Sequence, residues 1–505
     1  MQKIFKYLMC ATALAVGFTN CTKEIMDEGN NGNNSGKEGV STYATFNFVI
    51  NGASTKASDM INDSNEKNAI NDIRLIIFKA GSTTTCEVNE AYDVNSTTPN
   101  PWDAAKSKTV QLTSGKKRIF VIANAEKQSG IKAGLDAITV GSTTISQFYG
   151  MVYDLGKTLG KMNELVSDAN GYIMSNNISS KSSFELKGGI GLDESRGGTE
   201  QQNNFKVDIQ RAVAKADVWY ADASVLETTD KVGKLTDLKY AIRNVNRALY
   251  LFQKFSSDMV DPDVSIPNSP YYNLPTGTPV TTYDTIYYKD YKFVPVLNNK
   301  QSPKVYVTEN TSEIQRNATT TYAAIETVFL PKKGMIIEDY KYNELTNSFH
   351  SIVTNSADAT SGTTLYRLVN VGTSTGITAN IFFKDKEKAY RVAYCIDKKT
   401  EAGFDINNIS NLVWDESTGK GHIVEYIDGK CYYRLNLGEG NGNNFNPGLR
   451  RNYGYNAKIT SFSGLGIPKL EDLDKDPDKP IGQKTHVTAT INVVPWTNVD
   501  TEHQL

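Results

Sequence analysis

Hydrophobic positions along this chain alternate more often than they recur at helical spacing. In "HVTATINVVPW", Val487, Ala489, Ile491 and Val493 alternate with Thr488, Thr490 and Asn492, the period-two pattern of a half-buried strand. Val494 and Trp496 continue the apolar run on the other face, and Pro495 between them removes a ladder donor. Near the other end, "STYATFNFVI" (41–50) sets Tyr43, Phe46, Phe48 and Ile50 against Thr45, Asn47 and Val49. "NDIRLIIFK" (71–79) and "KKRIFVIAN" (116–124) are apolar on both faces, as central strands covered on both sides would be. "FKVDIQRAVAKADVWY" (205–220), "TYAAIETVFLP", "TANIFFKD", "AYRVAYCID" and "CYYRLNL" read as further strands.

One helix is predicted. Ile145, Phe148, Val152, Leu155, Leu159, Met162 and Val166 keep helical spacing, and Thr144 with Gln147 forms a capping box. Gly150, Gly156 and Gly160 weaken it, so packing must hold it. "LKYAIRNVNRALYLFQKF" fits a helix or a long twisted strand, and periodicity does not separate the two. "TSGKK" reads as a hairpin turn, and 255–320 is loop-rich. The apolar strand at 484–505 leaves an open edge, a template for pairing. It closes the chain's own sheet or serves a neighbour.

The remaining chemistry is sparse. The 505 residues have room for two large β domains, and 54 basic against 56 acidic residues give no field to recruit nucleic acid. Four scattered histidines suggest no metal pair, and no catalytic triad, reactive cysteine or carboxylate pair stands out, so neither an enzyme nor a cofactor is expected. Asp472, Asp474, Asp476 and Asp478 alternate like the start of a calcium loop, but Pro477 and Gln483 stand where glycine and glutamate belong. The stretch reads as a solvated acidic connector.

The first twenty residues set the compartment. Lys3 and Lys6 precede the apolar "YLMCATALAVGF", too short for a membrane span, and Cys21 follows in "FTNCTKE". This looks like a bacterial lipoprotein signal with Cys21 acylated, followed by a polar tether to residue 40. Cys395 and Cys431 sit in strand-like runs and could pair across a sheet; buried free thiols are the alternative.

Several stretches, in order, resemble the fimbrillin family of Bacteroidales, the shaft subunits of type V pili. They are "NAINDIRLIIFKAG", "LTSGKKRIFVIANA", "YDLGKTLGKMNELVSDANGYIMSN", "VDIQRAVAKADV", "LRRNYGYNAKITSFSGLGIP" and "ATINVVPW". "RRNYGYNAKI" followed by "VVPW" is most similar to the minor, Mfa-type shaft subunits. The resemblance implies a mainly β chain of two transthyretin-like β-sandwich domains (41–215 and 216–483), with one helix in the first and a donor-strand segment at 484–505. It also favours the strand reading of "LKYAIRNVNRALYLF".

In function, the resemblance implies a pilus subunit exported as an outer-membrane lipoprotein, cut by a surface protease after its first strand. The emptied groove then accepts the C-terminal strand of another subunit (Val487, Ala489, Ile491, Val493, Val494, Trp496), building a head-to-tail polymer with other copies and accessory pilins on the cell surface. The family's cut follows an arginine. Here no arginine lies between Cys21 and Arg74, so Lys56 in "STKAS" is the expected site, with Ala57 the new N-terminus. The alternatives are an adhesive tip subunit of the same pilus, whose loop-rich 255–320 would bind a ligand, and a surface glycan-binding lipoprotein.

Overall fold

The computed structural model describes residues 38–50, 69–80, 84–93, 107–156, 162–167, 169–178, 182–255, 267–268, 286–287, 292–300, 302–311, 316–343, 348–353, 361–370, 381–398, 422–439, 446–474, 476–479, 481 and 486–495. Cys21, Lys56, Ala57 and Trp496 lie outside them, as do the side chain of Val494 and most of 255–320.

The chain is mainly β, in sandwiches. The elements of its first part are β1 (Ser41–Ile50), β2 (Asp72–Lys79), β3 (Cys86–Asp93), β4 (Ser107–Thr113), β5 (Gly115–Ala123), α1 (Ser129–Asp136), α2 (Ile145–Tyr149), α3 (Met162–Leu165), β6 (Met174–Ser175), β7 (Ser183–Leu186), α4 (Leu192–Gly197) and β8 (Asn204–Arg211). One leaf is β4-β1-β8. The other is β3-β2-β5 with β6 and β7 beside β5. Gln210 and Arg211, the last residues of β8, pair with β6 and join the leaves. As their unbroken apolar runs required, Ile73, Leu75, Ile76, Ile77 and Phe78 on β2 and Ile119 to Ala123 on β5 have no exposed surface.

The second part holds β9 (Val213–Tyr220), β10 (Gly233–Arg243), β11 (Val294–Pro295), β12 (Val305–Thr308), β13 (Tyr322–Pro331), β14 (Leu365–Leu368), β15 (Phe382–Phe383), α5 (Lys386–Lys398), β16 (Ile423–Tyr426), β17 (Lys430–Asn436), β18 (Tyr453–Phe462) and β19 (Val487–Pro495). Its leaves are β12-β9-β18-β19 and β11-β10-β13-β17, around one core. Between β13 and β17, which pair directly (Val328 with Lys430), the chain makes a long excursion. There β15-β14-β16 and α5 build a small core of their own. The main cores change hands between Val213 and Ala214, although Leu249, Leu251 and Phe252 return to the first.

Several expectations need correction. The single helix over 145–166 is broken: α2 ends at Gly150, residues 152–154 pair as a strand with 248–250, and α3 is one turn. The capping box at Thr144 and Gln147 is present. Beyond that strand Gly156 takes φ +72, a conformation no helix accepts and glycine adopts without strain. The first part therefore carries four short helices among the described residues. "AYRVAYCID" is not a strand but the body of α5: Ala389, Val392 and Ala393 are buried together, at helical spacing. "TSGKK" is not a hairpin, because β4 and β5 do not pair; Gly115, at φ +105, carries the chain from one leaf to the other. The ambiguous 238–255 is not a helix but three strand pieces, 238–243 in β10, then 248–250 and 254–255, with Asn244 at φ +55 ending the first.

Cys395 and Cys431 are not bonded. Cys395 packs in the small core beside α5 and Cys431 in the second sandwich, and both, with Cys86, are buried free thiols. Desolvation pushes the thiols of Cys395 and Cys431 up to about 12, which leaves them unreactive.

The acidic connector is solvated only in part: Asp472, Asp476 and Asp478 are exposed, but the stretch is docked on the second sandwich. Asp474 accepts from the Tyr322 hydroxyl at 3.0 Å and from Arg434 Nη1 at 3.1 Å, and Arg243 Nη2 stands 3.4 Å away. Asp478 pairs with Arg316 at 2.7 Å, and Leu473, just before Asp474, is buried against Tyr322 and Ala324. A run of aspartates is soluble unless arginines elsewhere in the chain meet it, and those partners lie 40 to 231 residues away.

Candidate functional site

β1 occupies the middle of its leaf, although it is the first of the described strands. It runs antiparallel to β4, from Ser41 opposite Thr113 to Asn47 opposite Ser107. On its other side it runs parallel to β8, from Thr45 opposite Asn204 to Ile50 opposite Ile209. A strand inserted parallel to one neighbour and antiparallel to the other has both edges paired, so its removal exposes two rows of backbone groups at once.

The alternation seen in the sequence is what β1 uses. Ala44, Phe46 and Phe48 face the core with at most 1% exposure. Phe46 stacks on Phe205 of β8 at 6.0 Å and meets Phe184 of β7 edge-on at 6.2 Å. Tyr43, grouped by sequence with Phe46 and Phe48, lies on the opposite face by strand parity, and Thr42 and Ala44 fill the inner positions beside it.

The outer face of β1 is read by polar groups. Thr45 Oγ1 lies 2.8 Å from Ser195 Oγ of α4 and 2.9 Å from Thr109 Oγ1 of β4. Asn47 Nδ2 donates to Asn204 Oδ1 at 2.6 Å and to the Phe205 carbonyl at 3.2 Å. On the inner side, at the start of the strand, Thr42 Oγ1 donates to the Lys187 carbonyl at 2.7 Å and accepts from Ile190 N at 3.1 Å and Asn203 Nδ2 at 3.0 Å. Residues 187–190 cross close above: a Cβ on Gly188 would sit 2.8 Å from that of Val40. Sequence reasoning found β1 but missed Ser195, Asn203 and Asn204, whose contacts to it span 150 or more residues. No local motif marks them.

The other expected element, β19, lies antiparallel on β18, from Val487 opposite Phe462 to Pro495 opposite Tyr453. It is an edge strand, with no partner on its far side among the described residues. Val487 is buried, whereas Ala489, Ile491 and Val493 are only half-buried against the second core. Val494 pairs with Gly454 through its backbone.

The two parts meet through buried charge. Arg451 and Glu309 form an ion pair with 0% exposure on either side chain, and Arg451 Nη1 also donates to the Leu251 carbonyl at 3.1 Å. Gln253 Nε2 donates to Glu309 Oε2 at 2.8 Å, and Gln210 of β8 donates to Gln253 at 2.6 Å. Next to Gln210, Arg211 donates from its backbone and from Nη1 to Asn452 Oδ1, at 3.3 and 3.0 Å. The end of β8 is thereby fixed to the residue that precedes β18.

The architecture is two linked sandwiches, the first with β1 inserted between β4 and β8. A family model described as the major fimbrial subunit protein (FimA) matches residues 44–211, and one described as the C-terminal part of the type IV major fimbrial subunit protein, fimbrillin, matches residues 424–502. The chain belongs to the fimbrillin family and is a fimbrial subunit of the cell-surface pilus, which assembles with other pilins. No curated protein matches it. Among solved structures, a cell adhesion protein from Parabacteroides distasonis is 14% identical, with 92% of this chain and 98% of that one covered at a TM-score of 0.43. A fimbrilin from Porphyromonas gingivalis is 12% identical over 90% and 98%, at 0.41. The tip fimbrial protein Mfa3 from the same organism is 11% identical over 90% and 100%, at 0.36.

Proposed function

We propose that this chain is a shaft subunit of the pilus, made as a lipoprotein precursor acylated at Cys21, cut after Lys56, and polymerised by donor-strand addition. The observation that carries the reading is the placement of β1. It is buried between β4 and β8, yet it joins the rest of the chain only through residues 51–71, so one cut there frees it together with everything before it.

Loss of β1 would open a groove floored by Phe184, Phe205, Val110 and Leu112, with unpaired edges on β4 and β8. Such a groove is filled by an extended strand, since ladders on both sides supply affinity and alternate side chains fill the floor. β19 is the matching donor: it has the right alternation, and of its inward residues Ala489, Ile491 and Val493 are only half-buried at home. Moving them into a neighbour's groove increases their burial. The contact joins unlike surfaces of successive copies and does not close, so it builds a filament.

Mass spectrometry of subunits taken from assembled pili tests this reading. The expected N-terminus is Ala57, with residues 1–56 absent. Pili whose subunits retain residues 41–50 would overturn it.

A further inference from the structure

The strand that would leave the groove and the strand that would enter it share a sequence. Residues 44–49 read Ala-Thr-Phe-Asn-Phe-Val and residues 489–494 read Ala-Thr-Ile-Asn-Val-Val. Four of the six positions are identical (Ala, Thr, Asn, Val), and the two that differ exchange phenylalanine for a smaller aliphatic residue. Both stretches lie within strands and in the same phase. Ala44, Phe46 and Phe48 turn to the first core, and Ala489, Ile491 and Val493 turn to the second, leaving Thr490 and Asn492 exposed. Alternation alone requires only some polar residue at the outer positions; it does not require threonine and then asparagine.

In β1 those two residues make the specific contacts, Thr45 with Ser195 and Thr109 and Asn47 with Asn204 and the Phe205 carbonyl. We infer that the shared stretch is a register key: β19 enters the groove of the next copy in the direction of β1, with Ala489 in the place of Ala44 and Asn492 in the place of Asn47. The inference rests on the donor-strand reading and adds its register and recognition residues.

The groove discriminates against every slip. A shift by one residue puts Thr490 and Asn492 into the apolar floor. A shift by two in one direction sets Ala489 where Phe46 stands and leaves a cavity against Phe184 and Phe205. A shift by two in the other direction forces Ile491 onto the site of Ala44, which has 0% exposure, and sets Val494 against Asn204. Only the shared register satisfies the floor and both polar contacts together.

The match does not extend to Thr42, whose counterpart is Val487. A valine there offers no acceptor to Ile190 N or Asn203 Nδ2 and no donor to the Lys187 carbonyl. Pro495 falls on Ile50, the last residue of the β1 ladder, where a missing donor costs least.

Paired cysteines test the register. Ser195→Cys is combined in turn with Thr488→Cys, Thr490→Cys or Asn492→Cys, and assembled pili are oxidised with copper phenanthroline and run on a non-reducing gel. Thr45→Cys with Ser195→Cys, in uncut precursor, checks that the site accepts the bond within one chain. The expected result is a covalent ladder from the 490 pair alone. A ladder from 488 or 492 in its place overturns the register while leaving donor-strand addition standing. Variants that polymerise without cross-linking at any of the three positions overturn donor-strand addition itself. A gain-of-function variant reads the same register without cysteines: Val487→Thr should raise the temperature at which pili dissociate in SDS, and an unchanged or lower temperature contradicts it.

Discussion

Arg451 and Glu309 form an ion pair in which neither side chain has any exposed surface. Taking two charges out of water is costly, and only good geometry with further hydrogen bonds compensates for it. Here Arg451 also donates to the carbonyls of Tyr250 and Leu251, and Glu309 accepts from Gln253. Breaking the pair from one side strands a buried charge. Arg451→Met is expected to cost about 3–5 kcal/mol in urea unfolding, and adding Glu309→Leu should recover a large part of that. A loss equal to the sum of the two single variants would show that the groups do not act as a pair.

On the donor-strand proposal, Phe46 separates the precursor from the polymer. It is fully buried between Phe184 and Phe205, so Phe46→Ala should destabilise the uncut precursor by about 3–5 kcal/mol. Once β1 has left, residue 46 is no longer part of the subunit. Pili grown from Phe46→Ala precursor should therefore dissociate in SDS at the same temperature as the unmodified ones. A matching loss in both would mean that β1 stays in the pilus.

Asp217 gives a pH dependence with a definite sign. It lies on β9 with 3% exposure, its Oδ1 makes no hydrogen bond, and desolvation pushes its carboxyl up to about 6 despite Lys304, Lys300 and Lys215 nearby. An acid whose folded value lies above the unfolded value of about 3.9 favours the fold when protonated. Its contribution is fully present below pH 4 and lost as the pH rises through 6. Asp217→Asn should therefore raise the melting temperature at pH 7 and flatten its dependence between pH 4 and 7. A melting temperature lowered at pH 7 would show that the charge is stabilising.

Much of the first sandwich was legible in the sequence because its signals are local. The unbroken apolar runs of β2 and β5 and the alternation of β1 and β19 each state which faces are covered, and the structure covers those faces. What failed depended on distant partners or on a single backbone angle. The helix over 145–166 had the right stripe but a glycine at positive φ inside it. The aspartates at 472–478 looked solvated because Arg243, Arg316 and Arg434 lie far off in the chain. α5 was read as a strand because its aromatic residues dominate a short window, although Ala389, Val392, Ala393 and Cys395 keep a helical stripe. The groove was legible only in its occupant: Ser195, Asn203 and Asn204 acquire meaning when β1 is laid against them.

Lipid attachment and trimming have separable outcomes. Cys21→Ala should leave both sandwiches folded, because Cys21 precedes every described strand of either, and should remove the chain from the membrane fraction and from surface pili. Lys56→Ala should accumulate uncut, membrane-bound precursor with β1 in place. Normal surface pili from Cys21→Ala cells would contradict the lipoprotein route. Normal trimming of Lys56→Ala would move the cut elsewhere in 51–68.

The central claim is that removal of β1 opens a groove which β19 of another copy fills. Limited trypsin treatment of the purified lipid-free chain, followed by electrophoresis in SDS without heating, tests it most directly when run beside a chain lacking residues 484–505. The account predicts an SDS-resistant ladder from the full-length chain, and a cut but monomeric truncated chain that stops the ladder when mixed in. A full-length chain that is cut in 51–68 and stays monomeric, or a truncated chain that polymerises as well as the full-length one, would contradict it.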